Sequence, residues 1–312
     1  MRAVFLGTPE FAVPSLETLV RAGHEVAAVV TQPDRPKGRG GQLAAPLVKQ
    51  AALRLGLEVH QPARIRAPES LALLGVLRPE VMVVVGYGQI IPQAIIDIPP
   101  HGILNVHASL LPKYRGAAPV QWAIANGETA TGVTTMQIDA GLDTGGILLQ
   151  RETAIDAEED AVALSARLAA MGAELLAETL DGLARGAIVA HPQDAAQATL
   201  APVLQKEDGR IDWTRPAREI VNRIRGFVPW PGCFTCFRGT TLHVVKARTA
   251  ESAGGVPGSA HPTRSRLVVT CVGGTGVEVV EVQIEGGKRM SAAAFLNGHR
   301  VLENELRGEM SE

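Results

Sequence analysis

Asn105 and His107 are separated by one residue, in a segment that begins as an apolar strand and ends in a loop rich in proline and glycine. In a β-strand this spacing places both side chains on one face of the sheet. An amide and an imidazole side by side can donate hydrogen bonds to the oxygen of a carbonyl group under nucleophilic attack. The alternative is that His107 is a hydrogen-bonded core residue and that Asn105 shapes a turn.

Asp143 is a carboxylate that could join this pair. It lies 36 residues after His107, in a loop that also holds Gly141, Gly145 and Gly146. A carboxylate beside an imidazole orients the ring and stabilises its charged form. The alternative is that Asp143 is an ordinary turn residue, as aspartates in glycine-rich loops often are.

The elements that must position these residues indicate an α/β fold. An apolar strand at residues 3–6 is followed by a helix whose apolar residues recur at helical spacing up to Val20, and a second strand runs through residues 25–31. This β-α-β order predicts a parallel sheet with right-handed crossovers. The segment contains neither G-x-G-x-x-G nor a P-loop sequence, so it indicates neither a dinucleotide nor a P-loop nucleotide.

A ligand-binding edge is predicted where the apolar strand Val81–Val85 ends. The chain continues there into Gly86-Tyr-Gly-Gln-Ile-Ile91, and the next strand, residues 102–107, carries Asn105 and His107 to the same edge. Open α/β sheets bind ligands at the carboxyl ends of their strands, and glycines let the backbone approach a ligand closely. An ordinary turn is the alternative.

Arg35, Lys37 and Arg39 lie among proline and glycine residues in the segment 31–45, the longest candidate loop of the N-terminal half. Three cations on a flexible segment beside a cleft are suited to phosphate groups, and glycine permits close approach. The alternative is a solvated surface loop without a ligand.

The totals describe a globular chain of about two domains. It has 312 residues, of which 46% are hydrophobic and 20% charged, a composition typical of folded domains. No apolar run reaches the ~18 residues of a membrane span, and the first residues enter a strand without the pattern of a signal peptide. Three cysteines, all after residue 232, are too few for a disulfide framework. We therefore expect a cytoplasmic protein.

The C-terminal third has a different pattern. Residues 190–205 are small and polar and predict a linker between a first domain at 1–189 and a second at 206–312. Short alternating segments separated by glycine and proline turns then predict a small antiparallel sheet or barrel. Cys233 and Cys236 form a C-x-x-C, but no second pair follows, and strand positions i and i+3 face opposite ways. No metal site is therefore expected.

Charge is distributed unevenly along the chain. Residues 1–205 contain 15 Lys/Arg and 20 Asp/Glu, whereas residues 206–300 contain 14 and 8. A basic C-terminal part suggests a polyanionic partner. A solvated basic face is the alternative, since a small excess of charge is not specific to polyanion binding.

Taken together, these motifs resemble the folate-dependent formyltransferase family. The resemblance rests on Asn105-Val-His107 running into Ser109-Leu-Leu-Pro112 and Arg115-Gly-Ala-Ala-Pro119, with Gly141-Leu-Asp143-Thr-Gly145 downstream. Three further stretches resemble the branch of the family that acts on methionyl-tRNA. They are Gly7-Thr-Pro-Glu-Phe11, the segment 31–40, and a C-terminal domain that begins at residue 209 and contains Arg225-Gly-Phe-Val-Pro-Trp-Pro231.

The resemblance implies a Rossmann-like parallel-sheet formyltransferase domain followed by a small, OB-like β-barrel that binds tRNA. It implies transfer of the formyl group of 10-formyltetrahydrofolate to the α-amine of methionyl initiator tRNA, by a monomer and without a metal. Asn105, His107 and Asp143 would be catalytic, and Arg35, Lys37 and Arg39 would contact the tRNA. The folate would lie along Ser109, Leu110, Leu111 and Pro112 and against Gly86, Gln89, Ile90 and Ile91.

Two alternatives remain open from the sequence. One is a formyltransferase that acts on a nucleotide-sugar amine, although the segment 31–40 disfavours it. The other is a non-catalytic RNA-binding protein of the same fold, which the presence of Asn105, His107 and Asp143 together disfavours.

Overall fold

The computed structural model describes residues 1–37, 42–303 and 305–306. They form two compact units, of which the first comprises Met1–Pro119, Ala130–Ala154 and Ser165–Ala201, and the second Val120–Thr129, Ile155–Leu164 and Pro202–Glu312. Neither unit is continuous in the chain. The division into domains at 1–189 and 206–312 with a linker at 190–205 stays a prediction.

Strands and helices alternate through most of the first 200 residues. The strands are β1 Arg2–Gly7, β2 Glu25–Val30, β3 Arg35–Lys37, β4 Gln42–Ala44, β5 Val59–His60, β6 Val81–Val85, β7 Ile103–His107, β8 Arg115–Gly116, β9 Ala130–Gln137, β10 Ile147–Ala154 and β11 Leu200–Ala201. The helices are α1 Val13–Arg21, α2 Leu47–Arg54, α3 Pro68–Leu77, α4 Gln93–Ile96, α5 Pro119–Ala125 and α6 Ala161–Ala184. Within the described ranges, no helix combines the length and apolarity that crossing a membrane requires.

The first unit is built on a sheet of order β10-β9-β7-β6-β1-β2-β5. The five strands β7, β6, β1, β2 and β5 run parallel to one another, which confirms the predicted parallel sheet. β9 runs antiparallel to both β7 and β10. The sequence does not predict this antiparallel edge, because the glycine-rich stretch between β9 and β10 indicates a site loop, whereas its short length also permits a hairpin.

The strand that carries the predicted catalytic pair lies inside this sheet. Its neighbour β6 is buried at every position, as expected for a central parallel strand. On one face, α6 approaches β7 at Gly172, where a Cβ would lie 2.7 Å from Cγ1 of Val106. Because protein interiors are closely packed, this contact restricts the position of β7.

The second unit contains an antiparallel sheet, as the sequence predicts. Its elements are β12 Cys233–Phe237, β13 Thr240–Glu251, β14 Ala260–Pro262, β15 Leu267–Thr270, β16 Thr275–Ile284, β17 Met290–Ser291, α7 Ala217–Gly226 and α8 Ala292–Gly298. The strand order is β12-β13-β16-β15-β14, with β17 paired to β16. In the part of the chain that the structure describes, β12 and β14 are not paired, so hydrogen bonds do not close the sheet into a barrel.

A buried carboxylate stabilises this second sheet. Glu278 on β16 is paired with Arg248 at 2.8 Å and with Arg266 at 2.6 Å. The side chain of Glu278 is 8% exposed, whereas those of the two arginines are 64% and 55% exposed. Hydrogen bonds from Arg266, and next from Arg248, lower the pKa of Glu278 to about 2.

Proton linkage at Glu278 predicts a loss of stability in acid. A carboxyl group whose pKa is lower in the folded state stabilises the fold above its unfolded pKa, and this contribution is lost as the pH falls toward the folded pKa. The free energy of unfolding, measured by urea denaturation at each pH, should therefore decrease between pH values of about 4.5 and 2.

The substitution Glu278→Gln should flatten this acid dependence. It should also lower the free energy of unfolding at pH 7, because both ion pairs are lost. The decrease should be limited to roughly 1–3 kcal/mol, since solvent partly screens the exposed arginines. Glu281→Gln, on the same strand, is the matched control and should leave the slope unchanged. An acid slope in Glu278→Gln equal to that of the unsubstituted protein would contradict this role.

Candidate active site

The structure brings Asn105, His107 and Asp143 together at the end of β7. Asn105 Nδ2 donates a hydrogen bond of 3.3 Å to Asp143 Oδ1, and His107 Nδ1 lies 3.7 Å from Asp143 Oδ2. Because side chains alternate along β7, the amide and the imidazole lie on the same face. A nitrogen of each therefore faces one carboxylate.

The His107 ring is held by its other nitrogen. The side chain is 6% exposed, and Nε2 lies 2.9 Å from the backbone oxygen of Tyr114. Since a carbonyl oxygen only accepts hydrogen bonds, Nε2 carries a hydrogen, and Nδ1 is the nitrogen that faces Asp143. The hydrogen bond to Tyr114 therefore fixes the orientation of the ring, with Nδ1 toward Asp143.

Asp143 has a backbone conformation that residues other than glycine rarely adopt, with a φ of +51°. Its Oδ2 accepts a hydrogen bond of 2.9 Å from the backbone N–H of Gly116. Gly116 has a φ of +121°, and a Cβ there would lie 2.6 Å from the backbone oxygen of Ala201. Glycine at 116 therefore allows the chain to pair with β11 and to hold Asp143 at the same time.

The turn at residues 109–112, predicted to contact the folate, is held by Thr134 of β9. Thr134 Oγ1 donates to the backbone oxygen of Ser109 at 2.6 Å and accepts from the backbone N–H of Leu111 at 3.1 Å. The hydroxyl of Ser109 donates to the backbone oxygen of Lys113 at 2.6 Å. Ser109 is fully buried, so its side chain stabilises the turn. Folate contact by this turn stays a prediction.

The second predicted folate segment lies at the same edge of the sheet. Val84 pairs with Asn105 across the neighbouring strands β6 and β7, and the turn at Gly86 follows directly. Gly86 has a φ of +56°, and a Cβ there would lie 2.8 Å from Cγ of Pro9. The glycine thus permits both the turn and the close approach of the loop after β1.

The side chains on this turn differ in their surroundings. Gln89 Oε1 accepts a hydrogen bond of 2.7 Å from the backbone N–H of Ile65, so this amide is engaged within the protein. Ile91 is part of the hydrophobic core. Ile90, by contrast, is 90% exposed. An apolar side chain with this exposure can contact a ligand directly, whereas Gln89 and Ile91 offer mainly backbone groups.

Two residues that the sequence analysis missed support the site from the predicted linker. Gln193 Nε2 donates to the backbone oxygens of Asp143 and Gly145, at 2.8 Å each. Thr199 Oγ1 accepts a hydrogen bond of 2.8 Å from the backbone N–H of Tyr114. Both residues stand in a small, polar stretch without periodicity, so the sequence carried no signal that could have identified them.

Comparison with known proteins identifies the family. The protein-family model for formyl transferases matches residues 1–180 of the chain. The family model for the C-terminal domain of formyl transferases matches residues 203–300. The methionyl-tRNA formyltransferase of Solibacter usitatus is 61% identical and covers 99% of both chains, and that of Koribacter versatilis is 56% identical over 100% of both. The chain belongs to the methionyl-tRNA formyltransferase family.

Two solved structures share the fold of this formyltransferase. The N-formyltransferase from Helicobacter canadensis, in complex with folinic acid and dTDP-3-aminofucose, aligns with a TM-score of 0.67 and 18% identity, covering 89% of this chain and 98% of that one. HypX from Aquifex aeolicus, in complex with tetrahydrofolic acid, aligns with a TM-score of 0.62 and 19% identity, covering 95% of this chain and 47% of that one. At these identities the likeness establishes the fold alone.

In the segment 31–45, for which the sequence predicts an open loop, the described residues form a short hairpin. Within it, β3, which includes Arg35 and Lys37, pairs antiparallel with β4. Arg39 lies outside the described residues. The contacts of all three with tRNA stay predictions for this formyltransferase.

Asp34 anchors the base of this hairpin. Lys49 Nζ lies 2.8 Å from Asp34 Oδ2, and Gln61 Nε2 donates a hydrogen bond of 2.7 Å to Asp34 Oδ1. The hydrogen bond from Gln61, and next that from Lys49, lower the pKa of Asp34. The hairpin is therefore tied to α2 and to the segment after β5.

The expectation of a metal-free reaction stays a prediction. In the described ranges, no group of three or more His, Cys, Asp or Glu side chains is arranged to hold a metal ion. Cys233 and Cys236, the C-x-x-C of the sequence, are buried and free.

The close contact at Gly116 predicts that Gly116→Ala disrupts the site and the fold. A Cβ would meet the backbone of β11, and the left-handed conformation would become strained. The free energy of unfolding should fall by more than about 2 kcal/mol, measured by urea denaturation. Gly75→Ala in α3, where a Cβ meets open space, should instead be neutral or stabilising by up to about 1 kcal/mol. Equal stabilities of the two variants would refute the constraint at Gly116.

Proposed function

We propose that the chain transfers the formyl group of 10-formyltetrahydrofolate to the α-amine of methionyl initiator tRNA. One observation carries the proposal: Asn105 Nδ2 and His107 Nδ1 lie 3.3 and 3.7 Å from the two oxygens of Asp143. Family membership supports the substrate, because full-length relatives at 61% and 56% identity are named methionyl-tRNA formyltransferases.

Formyl transfer to an amine exchanges one carbon–nitrogen bond for another. The amine nitrogen of the methionyl group attacks the formyl carbon, negative charge develops on the formyl oxygen, and the bond to N10 of the folate breaks. One proton leaves the attacking amine and one is gained by N10. The protein must therefore stabilise the oxygen and move a proton.

Asn105 and His107 supply donors for the formyl oxygen in this proposal. An oxygen beside Asp143 would be within reach of both Asn105 Nδ2 and His107 Nδ1, because both nitrogens already face that carboxylate. Asp143 orients the imidazole and accepts the proton of the amine, directly or through water. The hydrogen bond from the backbone N–H of Gly116 holds its carboxylate in place for this step.

The proposed folate site runs along Ser109, Leu110, Leu111 and Pro112 and against Gly86, Gln89, Ile90 and Ile91. Flat ring systems bind apolar surfaces with a few backbone hydrogen-bonding groups. Two exposed apolar side chains suit such a ligand: Ile90 is 90% exposed on the turn after β6, and Leu142, next to Asp143, is 64% exposed. The residues present therefore fit a folate that delivers an activated formyl group.

The proposed tRNA contacts involve two basic regions. Arg39 contacts the acceptor end, Arg35 and Lys37 add further tRNA contacts, and the basic stretch 206–300 contacts phosphates of the stem. We include in the proposal that the second sheet curves into an OB-like barrel that stays open between β12 and β14. Register shifts of β13 between Val244 and Ala247 support this curvature, because bulges bend strands. The proposed enzyme acts as a monomer in the cytoplasm.

The catalytic roles predict large losses of turnover. Asn105→Ala and His107→Ala should each lower kcat by roughly 10²–10³, since each removes one donor to the developing negative charge. Asp143→Asn should lower kcat at least as much, because an amide does not accept the proton. The assay measures formyl transfer from labelled 10-formyltetrahydrofolate to methionyl initiator tRNA.

His101→Ala, at an exposed position before β7, is the control and should keep full activity. A nucleotide-sugar amine and methionyl elongator tRNA are offered beside the initiator tRNA. Transfer to the sugar amine alone would preserve the chemistry and overturn the proposed substrate. An absence of transfer to every acceptor would overturn the enzyme assignment and leave a folate or RNA binder.

The proposed tRNA contacts predict that substitutions of these arginines change KM for the tRNA but not KM for the folate. Arg35→Ala and Arg39→Ala should each raise KM for the tRNA by roughly 3–30-fold and make it less dependent on salt, because each removes a phosphate contact. KM for the folate should stay unchanged. Arg185→Ala, an equal change of charge at an exposed site after α6, is the control. Equal effects of all three substitutions would contradict specific tRNA contacts by Arg35 and Arg39, because any loss of positive charge would then weaken tRNA binding to the same extent.

A further inference from the structure

Gln193 is a fully engaged side chain in the segment between α6 and β11. Its Nε2 donates to the backbone oxygen of Asp143 and to that of Gly145, both at 2.8 Å. Its Oε1 accepts two hydrogen bonds from Arg115, from Nε at 3.0 Å and from Nη2 at 2.7 Å. The two hydrogen bonds from the Arg115 guanidinium thus fix the plane of the Gln193 amide, and this amide fixes the loop at residues 143–145.

The loop that Gln193 holds is under backbone strain. Asp143 adopts a φ of +51°, a left-handed conformation that persists only where neighbouring contacts impose it. Gln193 binds the carbonyl group of Asp143 itself and the one two residues later. These two contacts set the direction in which the chain leaves Asp143, and therefore the direction in which its carboxylate points.

The same bridge reaches the other group that holds this carboxylate. The backbone N–H of Gly116 donates to Asp143 Oδ2 at 2.9 Å, and Gly116 directly follows Arg115. Arg115 binds Gln193, and Gln193 binds the loop of Asp143. The Gln193 side chain therefore links the segment of Gly116, which donates the hydrogen bond, to the loop of Asp143, which accepts it. A displacement of either loop would change both the Gly116 contact and the distance from Asp143 to His107.

We propose that Gln193 is a positioning residue for Asp143, oriented by Arg115, in the formyl transfer reaction. The inference rests on the proposed function for the role of Asp143. Only a neutral amide can perform this task, because it must donate to two carbonyl oxygens and accept from a guanidinium. Errors of about 1 Å in the placement of a catalytic group can reduce the rate by about 10²-fold.

The decisive comparison is between Gln193→Ala and Gln193→Glu. Glutamate keeps the contact with Arg115 and turns it into an ion pair. A carboxylate cannot, however, donate hydrogen bonds to the carbonyl oxygens of Asp143 and Gly145. Both variants should lower kcat by roughly 10–100-fold, with KM values for folate and tRNA within about 3-fold of the original. In the Asp143→Asn background, Gln193→Ala should lower kcat no further, because the carboxylate that Gln193 positions is already absent.

Two further variants separate positioning from folding. Arg115→Lys keeps the charge and loses the two-point contact with Oε1, so kcat should fall by roughly 10-fold with the backbone pairing of β8 intact. Gln197→Ala removes a glutamine whose amide nitrogen donates to Asp194 in its own turn, and it should leave kcat unchanged. Thermal unfolding of each variant shows whether it is folded at the assay temperature.

The outcomes distinguish this inference from the proposed function. Full activity of Gln193→Glu would overturn the donor role and leave Gln193 as a partner of Arg115 only. A further loss of kcat when Gln193→Ala is added to Asp143→Asn, with the double variant folded, would overturn the positioning role. Asp143→Asn, assayed in parallel, tests the proposed function: if it keeps full activity, Asp143 has no catalytic role, whatever the Gln193 variants show.

Discussion

The carboxylate of Asp143 is the point on which the site depends. It accepts hydrogen bonds from the side chain of Asn105 and the backbone of Gly116, and it faces Nδ1 of His107. A carboxylate with partners on several sides has little freedom to rotate, and its side chain is 17% exposed. The amide, the imidazole and the acid therefore share one fixed geometry, which is what a reaction with a developing charge requires.

This geometry is assembled from distant parts of the chain. β7 supplies the amide and the imidazole, β8 supplies a backbone donor, and the segment around Gln193 holds the loop of the acid. Each contact closes a long loop of chain, which has an entropic cost that only a largely complete fold offsets. The site consequently exists only in the folded first unit, and substitutions in its supports affect stability and geometry together.

Cations of both units are held by buried or partly buried acids. Asp34 binds Lys49 at the base of the hairpin, and Glu278 binds Arg248 and Arg266 on the second sheet. The side chain of Asp34 is 32% exposed and that of Glu278 is 8% exposed. The pKa of each carboxyl group is lowered by hydrogen bonds from its partners. The carboxylates fix the local chain, whereas the side chains of Arg35, Arg248 and Arg266 are exposed to solvent.

The sequence by itself determined the alternation of strands and helices and the common face of Asn105 and His107, because strand side chains alternate whatever surrounds them. It also marked Asp143, through its glycine-rich surroundings and the family resemblance. The tertiary structure alone decided the antiparallel edge at β10, the burial of Ser109 and the supporting roles of Gln193 and Thr199. Gln193 lies 50 residues from Asp143, and Thr199 lies 85 residues from Tyr114. Hydrogen bonds over such separations follow no local periodicity, so only the folded chain reveals them.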